Sequence, residues 1–312
     1  MKKNIKIMLL FAIFLFVSGT PCEAKYSNTY KNLCTINNQQ GCASMQGMDT
    51  GNGYIYCAKI TSGNEKAILV RYSLSGGKEE ELMTNVTGKN PIKYCSFLQH
   101  ANDMAFLEAG STDYLYVVTG KTSPAVVKLE INGNKYKKVG EFNFQGNPNQ
   151  FWGIDIMKTD SENITFLLNN TNVFYTATIK KSANTGTVQI KKYCQLSDDA
   201  NGFKKTAKVN GVTCDLTGYN QQGFCYANNK IYVPLTKGNI SVVLTYDNID
   251  NIQDPNTNLI CGEDSYRITS SQYAKLFEIE GVAIRDNKLY FSCNTRKEGV
   301  TKYDTDFVGY FK

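Results

Sequence analysis

A small set of polar and aromatic side chains in this chain is suited to holding a ligand. All of them lie at, or just before, the start of a phrase that the sequence repeats. They are Gln46, His100, Asn102, Asp103, Trp152, Gln222 and Glu280. An aromatic ring beside a few directed polar groups is a common form of ligand pocket. The set includes the one tryptophan and the one histidine of the chain, and we predict that it binds a carbohydrate by stacking and hydrogen bonding.

Carboxylates in the same part of each repeat allow a second chemistry. Two carboxyl groups roughly 5–10 Å apart can act as acid and base on a glycosidic bond. Asp103 and Glu280 lie in or next to the repeated position, whereas Asp49 and Asp155 lie farther along their segments. If the protein is a glycoside hydrolase, Asp103 and Glu280 are its predicted catalytic residues. Recognition without turnover is the favoured hypothesis.

A purely structural role for these polar residues is an equally weighted alternative. Gln, Asn and Asp at the start of a strand often satisfy backbone groups around the axis of a repeat protein, and Trp152 would then fill the channel. Nucleophilic catalysis is disfavoured because the sequence has no G-x-S-x-G and His100 has no evident serine partner. Calcium binding to the same oxygens is possible but weakly supported, and no other metal or cofactor is predicted.

The elements that must position these side chains are short strands. The phrase is clearest at residues 222–233, where a buried strand, a polar turn and an aromatic strand follow one another. It occurs five times at intervals of roughly 50–70 residues, and its aligned column is Gly47, Asp103, Gly153, Gly223 and Gly281. Such intervals are typical of four-stranded propeller blades. We therefore predict an all-β, five-bladed β-propeller; a β-sandwich does not explain a fivefold phrase.

The ends of the sequence suggest how the ring closes. The fifth repeat lacks a strong outer strand, and residues 25–37 contain a strand without a repeat of its own. Adding that N-terminal strand to the last blade would cover two sheet edges. In a propeller the first strand of each blade lines the central channel, so the residues before the shared column are expected to meet at one mouth.

Residues 1–24 have the pattern of a secretory signal peptide. A basic start precedes an apolar run at Ile7–Val17, which is too short to span a bilayer, and Ala24 offers a small residue for cleavage. A lipoprotein signal at Cys22 is a disfavoured alternative because Pro21 precedes it. We predict a secreted or surface-associated monomer in which residues 25–312 form a single propeller domain that does not span the membrane.

Charge and cysteine content narrow the class further. The formal charge is +6, and removing residues 1–24, with three lysines and one glutamate, leaves +4. Lysine pairs at 137–138, 180–181, 191–192 and 204–205 are spread along the chain, so no nucleic-acid surface is predicted.

An exported chain can form disulfides, and Cys34 and Cys42 are the first candidate pair. The cysteine count after Ala24 is odd, so at least one thiol stays unpaired within the chain.

Several of the repeated phrases together resemble the helveticin J group of large bacteriocin-like proteins. They are Gln46-Gly47-Met48 with Tyr54-Ile55-Tyr56, His100-Ala101-Asn102-Asp103-Met104, Gln222-Gly223-Phe224 and Glu280-Gly281-Val282-Ala283-Ile284. The resemblance spans roughly residues 44–300 and implies killing of related bacteria, without implying any catalytic residue. The signal peptide and the many cysteines depart from the pattern of that group.

Overall fold

Five β-sheets surround a central axis in this protein. A computed structural model describes residues 25–120, 125–146, 150–196, 206–300 and 305–312. Each sheet is one blade, and the innermost strands of neighbouring blades contact one another. The five-bladed β-propeller predicted from the repeat is confirmed. The predicted signal peptide at 1–24 lies outside the described residues.

Two N-terminal strands precede the first blade and join other blades. They are β1 (Tyr26–Ser27) and β2 (Tyr30–Thr35). Blade 1 follows as an antiparallel meander of β3 (Ser44–Gly51), β4 (Tyr54–Ile60), β5 (Ala67–Ser73) and β6 (Glu81–Leu82). Asn52 and Gly53 both take positive φ, 47° and 78°, as a two-residue type I′ hairpin turn requires. The predicted Asn-Gly hairpin between β3 and β4 is therefore present.

Blade 2 is widened by strands from outside its own repeat. Its own strands are β8 (Asp103–Leu107), β9 (Asp113–Val118), β10 (Ala125–Asn132) and β11 (Lys135–Gln145). The short strand β7 (Thr84–Asn85) pairs in parallel with the start of β11. A second parallel partner comes from the next repeat, because β15 (Thr185–Gln189) runs along the end of β11.

Blade 3 consequently has an interrupted outer half. It consists of β12 (Gly153–Thr159), β13 (Asn163–Asn170), β14 (Val173–Lys180) and β16 (Lys191–Leu196). The alternation from Val188 to Leu196 predicts one continuous fourth strand, but the structure divides this segment between β15 and β16. The chain after β14 first crosses to blade 2 as β15 and only then returns as β16, since a long-range partner claims the first part of this segment.

Blade 4 carries the insertion expected near residues 197–216, part of which forms a hairpin of β17 (Thr206–Val209) and β18 (Val212–Asp215). The blade itself contains β19 (Asn220–Gln221), β20 (Cys225–Ala227), β21 (Lys230–Lys237), β22 (Ile240–Asp247) and β24 (Ser265–Thr269). A short 3₁₀ helix (Ile249–Asn251) and β23 (Asn258–Leu259), which pairs with β16, connect β22 to β24. At its outer edge, β1 pairs in parallel with β24.

Blade 5 closes the ring as predicted. Its strands are β25 (Leu276–Arg285), β26 (Lys288–Arg296), β27 (Phe307–Phe311) and the N-terminal β2, which pairs antiparallel with β27. The third strand was expected at Val300–Phe307; the structure places it later, and residues 301–304 lie outside the described part. Ser27 Oγ also donates to the carbonyl oxygen of Lys312 at 2.6 Å.

The core lies between the blades, where apolar side chains of adjacent sheets interdigitate. Cys34 and Cys42 were predicted to pair, but both are buried free thiols. Cys34 packs in the apolar cluster between blades 5 and 1, while the Cys42 thiol contacts the carbonyl oxygen of Lys66 at 3.6 Å. The disulfide prediction was therefore wrong, and these cysteines act as small apolar groups. Within the described ranges, no helix is long and apolar enough to cross a membrane.

Candidate ligand site at the channel mouth

The column of small residues brings the innermost strands into close contact at the axis. A Cβ atom added to Gly47 would lie 2.3 Å from Asp103 Cα, and one added to Gly281 would lie 2.7 Å from the backbone nitrogen of Met48. A Cβ at Gly223 would lie 2.6 Å from Asp103 Cγ. Any larger residue at these positions would push strands of adjacent blades apart. The shared column predicted from the repeat is thus required by backbone packing.

Asp103 lies in the centre of this column and ties three blades together. Its side chain has no exposed surface, and its Oδ2 accepts the backbone N–H groups of Ile154 and Phe224, both at 3.2 Å. Burial raises the pKa of Asp103 well above its usual range. The carboxyl group therefore joins blade 2 to blades 3 and 4. Its burial does not support the acid–base role predicted for a glycosidase.

A pocket of about 310 Å³ opens at the mouth of the channel between blades 3 and 4. Its lining within the described residues is Trp152, Thr171, Asn220, Gln221 and Gln222. Trp152 lies directly before β12, and its side chain is half-buried. Its backbone N–H donates to Asn169 O at 2.9 Å, and this hydrogen bond holds the backbone that carries the indole. The structure therefore brings together two of the predicted site residues, the indole of Trp152 and the amide of Gln222.

Gln222 also connects this pocket to a pair of carboxyl groups on blade 5. Its Nε2 donates to Glu278 Oε1 at 3.1 Å, and Glu278 and Glu280 lie two residues apart on β25. Asn294 donates from Nδ2 to Glu280. Burial, and next the neighbouring Glu278, raise the pKa of Glu280 well above its usual range. The buried site therefore disfavours the charged form of Glu280.

The remaining predicted site residues do not line this pocket. Gln46 is buried, and its Nε2 donates to Ser44 Oγ at 3.4 Å. Asn102 is buried beneath Gly120, and His100 is hydrogen-bonded through Nδ1 to Asn64 Oδ1 at 2.8 Å. These three side chains make contacts within the protein and lie outside the lining of the pocket.

Sequence reasoning missed four residues of the mouth: Thr171, Asn220, Gln221 and Glu278. Thr171 lies in the turn between β13 and β14, and Asn220 lies in β19, so neither belongs to the repeated phrase. Glu278 had a usable signal, because residues i and i+2 of a strand share a face and Glu280 had already been selected. The pattern Glu278-Ile279-Glu280 therefore indicates a carboxyl pair once the strand is assigned.

The other two candidate carboxylates lie at the opposite end of the innermost strands. Asp49 Oδ2 accepts the N–H of Phe106, and Asp155 Oδ2 accepts the N–H of Tyr226, both at 2.6 Å. Burial raises the pKa of Asp155 to about 7, and burial together with Asp155 raises that of Asp49. Like Asp103, each of these carboxyl groups accepts a backbone N–H from a different blade. They stand apart from the pocket that contains Trp152.

The arrangement of donor groups does not suggest a metal centre. Among the residues that the structure describes, no group of three or more His, Cys, Asp or Glu side chains is placed to hold a metal ion. Chemically, the mouth offers an aromatic surface and neutral amides, and Gln222 connects them to the carboxyl group of Glu278. Such a site is suited to polar, uncharged ligands with several hydroxyl groups.

Comparison with known proteins places the chain in no family. No family model matches it, and no curated protein matches it significantly. The resemblance to the helveticin J group therefore has no support from these comparisons, and the killing of related bacteria that it implies stays a prediction.

Solved structures with a similar arrangement of strands include proteins of different kinds. RS223 β-xylosidase is 8% identical, with a TM-score of 0.49 and coverage of 90% of this chain and 94% of that chain. The GH43_1 enzyme from Xanthomonas citri is 8% identical, with a TM-score of 0.48 and coverage of 91% and 90%. Glutaminyl cyclase from Myxococcus xanthus is 10% identical, with a TM-score of 0.46 and coverage of 93% and 98%. Similarity at this level carries no information on activity.

Proposed function

We propose that this protein recognises a carbohydrate in the pocket at the channel mouth and does not turn it over. The observation that carries the proposal is the half-buried indole of Trp152 in one pocket with the amide side chains of Asn220 and Gln222. An indole face packs against the C–H face of a sugar ring, and amides donate to and accept from sugar hydroxyls. The pocket joins both kinds of contact.

The dimensions of the pocket limit the ligand. A volume of about 310 Å³ is at the lower end for small-molecule sites. We expect it to accept a terminal sugar or a very short segment of a glycan. Export, predicted from residues 1–24, would bring the pocket to the cell surface or the medium, where glycans are available.

A glycan panel with analysis of the products tests binding and turnover together. We expect binding of at least one glycan with no product formed, and loss of binding in Trp152→Ala. Trp152→Phe keeps an aromatic face and should retain part of the affinity. Tyr310→Ala, on the outer strand β27, removes an aromatic ring far from the mouth and serves as the control. Unchanged binding in both Trp152→Ala and Gln222→Ala would show that the pocket is not the site.

Glycoside hydrolysis is the second candidate function, and the Glu278–Glu280 pair favours it. The pair is one hydrogen bond away from Gln222, which lines the pocket. However, Glu280 is buried and hydrogen-bonded to Asn294, whereas a general acid or base must come within hydrogen-bond reach of the bound substrate. Product formation that disappears in both Glu280→Gln and Glu278→Gln would establish the enzyme in place of the binding protein.

A further inference from the structure

A groove on the outer part of blade 3 is the feature of the fold that the channel site leaves unexplained. Its volume is about 680 Å³, more than twice the 310 Å³ of the pocket at the mouth. It exists because β15 leaves blade 3 to pair with β11. As a result β16 pairs with β14 only over Val173–Thr176, and the rest of β14 faces an open space.

The wall of the groove formed by the chain between β14 and β15 is firmly held. The buried Lys128 donates from Nζ to the carbonyl oxygens of Lys181 and Ala183 at 2.9 and 3.0 Å, and to Asn184 Oδ1 at 3.2 Å. The backbone N–H of Glu141 donates to Asn184 O at 2.8 Å. These contacts anchor the turn before β15 to blade 2. One wall of the groove is therefore held in place by blade 2.

The surface of the groove is positively charged and rich in hydroxyl groups. Lys158, Lys180 and Lys191 are exposed along it, and the structure shows no ion pair for these three lysines within the described residues. Its lining contains one acidic side chain, Asp250, which already accepts a hydrogen bond from the hydroxyl group of Tyr226. One lysine from each of two pairs that are dispersed in the sequence, Lys180 and Lys191, thus lines the same groove.

The hydroxyl groups come from threonines on adjacent strands of the same sheet. Thr165 and Thr178 lie opposite each other on β13 and β14 and are hydrogen-bonded at 3.0 Å, and Thr176 lies two residues before Thr178. Of the aromatic side chains in the lining, Phe142 is buried and Tyr193 is half-buried, with its hydroxyl group donating to Ile249 O at 2.6 Å. Single-stranded nucleic acids are usually bound through exposed aromatic rings.

We infer that this groove binds an anionic polysaccharide, with the lysines pairing its carboxylate or sulfate groups and the threonines contacting its hydroxyls. The groove is separate from the channel mouth, so binding at the groove and binding at the mouth are tested independently of each other. Three point charges on flexible stems attract an anion without fixing its geometry. The binding is therefore expected to weaken strongly as salt increases, because exposed charges are screened.

Titration with dextran sulfate, polygalacturonate and neutral dextran at several salt concentrations tests the inference. We expect the sulfated or the carboxylated polymer, or both, to bind, and the comparison of these two identifies the anionic group. Neutral dextran should not bind at the groove. Equal binding of neutral dextran, or tighter binding of a single-stranded DNA oligomer than of either polyanion, would overturn the inference.

The decisive variant replaces Lys158, Lys180 and Lys191 by glutamine. A matched control replaces three exposed lysines elsewhere, Lys78, Lys89 and Lys297, so that the net charge changes equally. We expect roughly a tenfold or greater loss of affinity for the groove variant, since each exposed pair contributes modestly and three are removed. The control should change little. Equal losses in both would show that only net charge matters and that the groove is no site.

A second variant keeps all the lysines. Thr178 is exposed on β14 in the groove, so Thr178→Glu introduces a repelling charge without disturbing the core. We expect Thr178→Glu to bind the polyanion several-fold more weakly than Thr178→Gln. Equal affinity of the two variants would contradict the assignment. Binding of the channel ligand should be unaffected in both.

Discussion

Replacement of Asp103 should reveal how strongly the centre of the ring depends on one carboxyl group. In Asp103→Ala, the backbone N–H groups of Ile154 and Phe224 lose their shared acceptor in a site that has no exposure to water. A buried N–H left without a partner costs about 1–3 kcal/mol, so the two together cost about 2–6 kcal/mol. Removing the buried Oδ1, which has no partner of its own, offsets part of this cost. We expect the free energy of unfolding to fall by about 2–4 kcal/mol.

Asp103→Asn is the matched variant, because its carbonyl oxygen can still accept both N–H groups. Burial raises the pKa of Asp103, which means that the site disfavours a charge, and the neutral Asn side chain should therefore cost about 1 kcal/mol or less. The raised pKa also predicts a pH dependence. The contribution of this group to stability is fully present below the unfolded pKa, near 4, and decreases as the pH rises toward the folded value.

Urea unfolding followed by fluorescence, at several pH values from about 4 to 8, measures both effects. We expect Asp103→Asn to remove the part of the pH slope that belongs to this group. If Asp103→Ala is within about 0.5 kcal/mol of the wild type, or Asn destabilises as much as Ala, the carboxyl group does not tie the blades as described.

Three further predictions concern other buried or exposed groups. Lys59→Met should lower the free energy of unfolding by about 3–5 kcal/mol, because Lys59 and Asp306 form a fully buried ion pair at 2.9 Å; adding Asp306→Asn should recover part of the loss in urea unfolding. Asp155→Asn should flatten the stability profile between pH about 4 and 7, since the folded pKa near 7 makes wild-type stability decline over that range; an unchanged profile would contradict this. Trp152→Ala should leave the melting temperature almost unchanged in calorimetry while ligand binding is lost, and a large drop would show that the indole is a core residue.

The repeat could be predicted from the sequence because each blade carries its own local signals. The innermost strand of each blade contains or closely follows its column residue, and β8 and β12 begin at Asp103 and Gly153. Asn52-Gly53 forms a hairpin turn. The closing strand β2 could also be predicted. The N-terminal segment contains a strand without a repeat, and the last repeat lacks an outer strand, so pairing the two completes the ring. These features depend on sequence patterns within about ten residues, or on the number of strands that each repeat supplies.

The parts that could not be predicted depend on partners far along the chain. Val188–Leu196 has the same alternation whether it pairs with blade 2 or with blade 3, so the crossing of β15 has no local signal. The position of the Asp103 side chain has no local signal for a related reason. A carboxylate at the end of a strand can point into a mouth or into the axis, and only the close approach of Gly223 shows which occurs.

The closure of blade 5 bears on the order in which the chain can fold during synthesis. β2 leaves the ribosome long before its partner β27, and β1 long before β24. Until the last blade emerges, the nascent chain is an open row of sheets with unpaired edges at both ends, which are prone to aggregate. For an exported protein, this arrangement delays the final ring until translocation is nearly complete. A chain without its first described strands should therefore be secreted poorly, even though the mouth and the groove are intact.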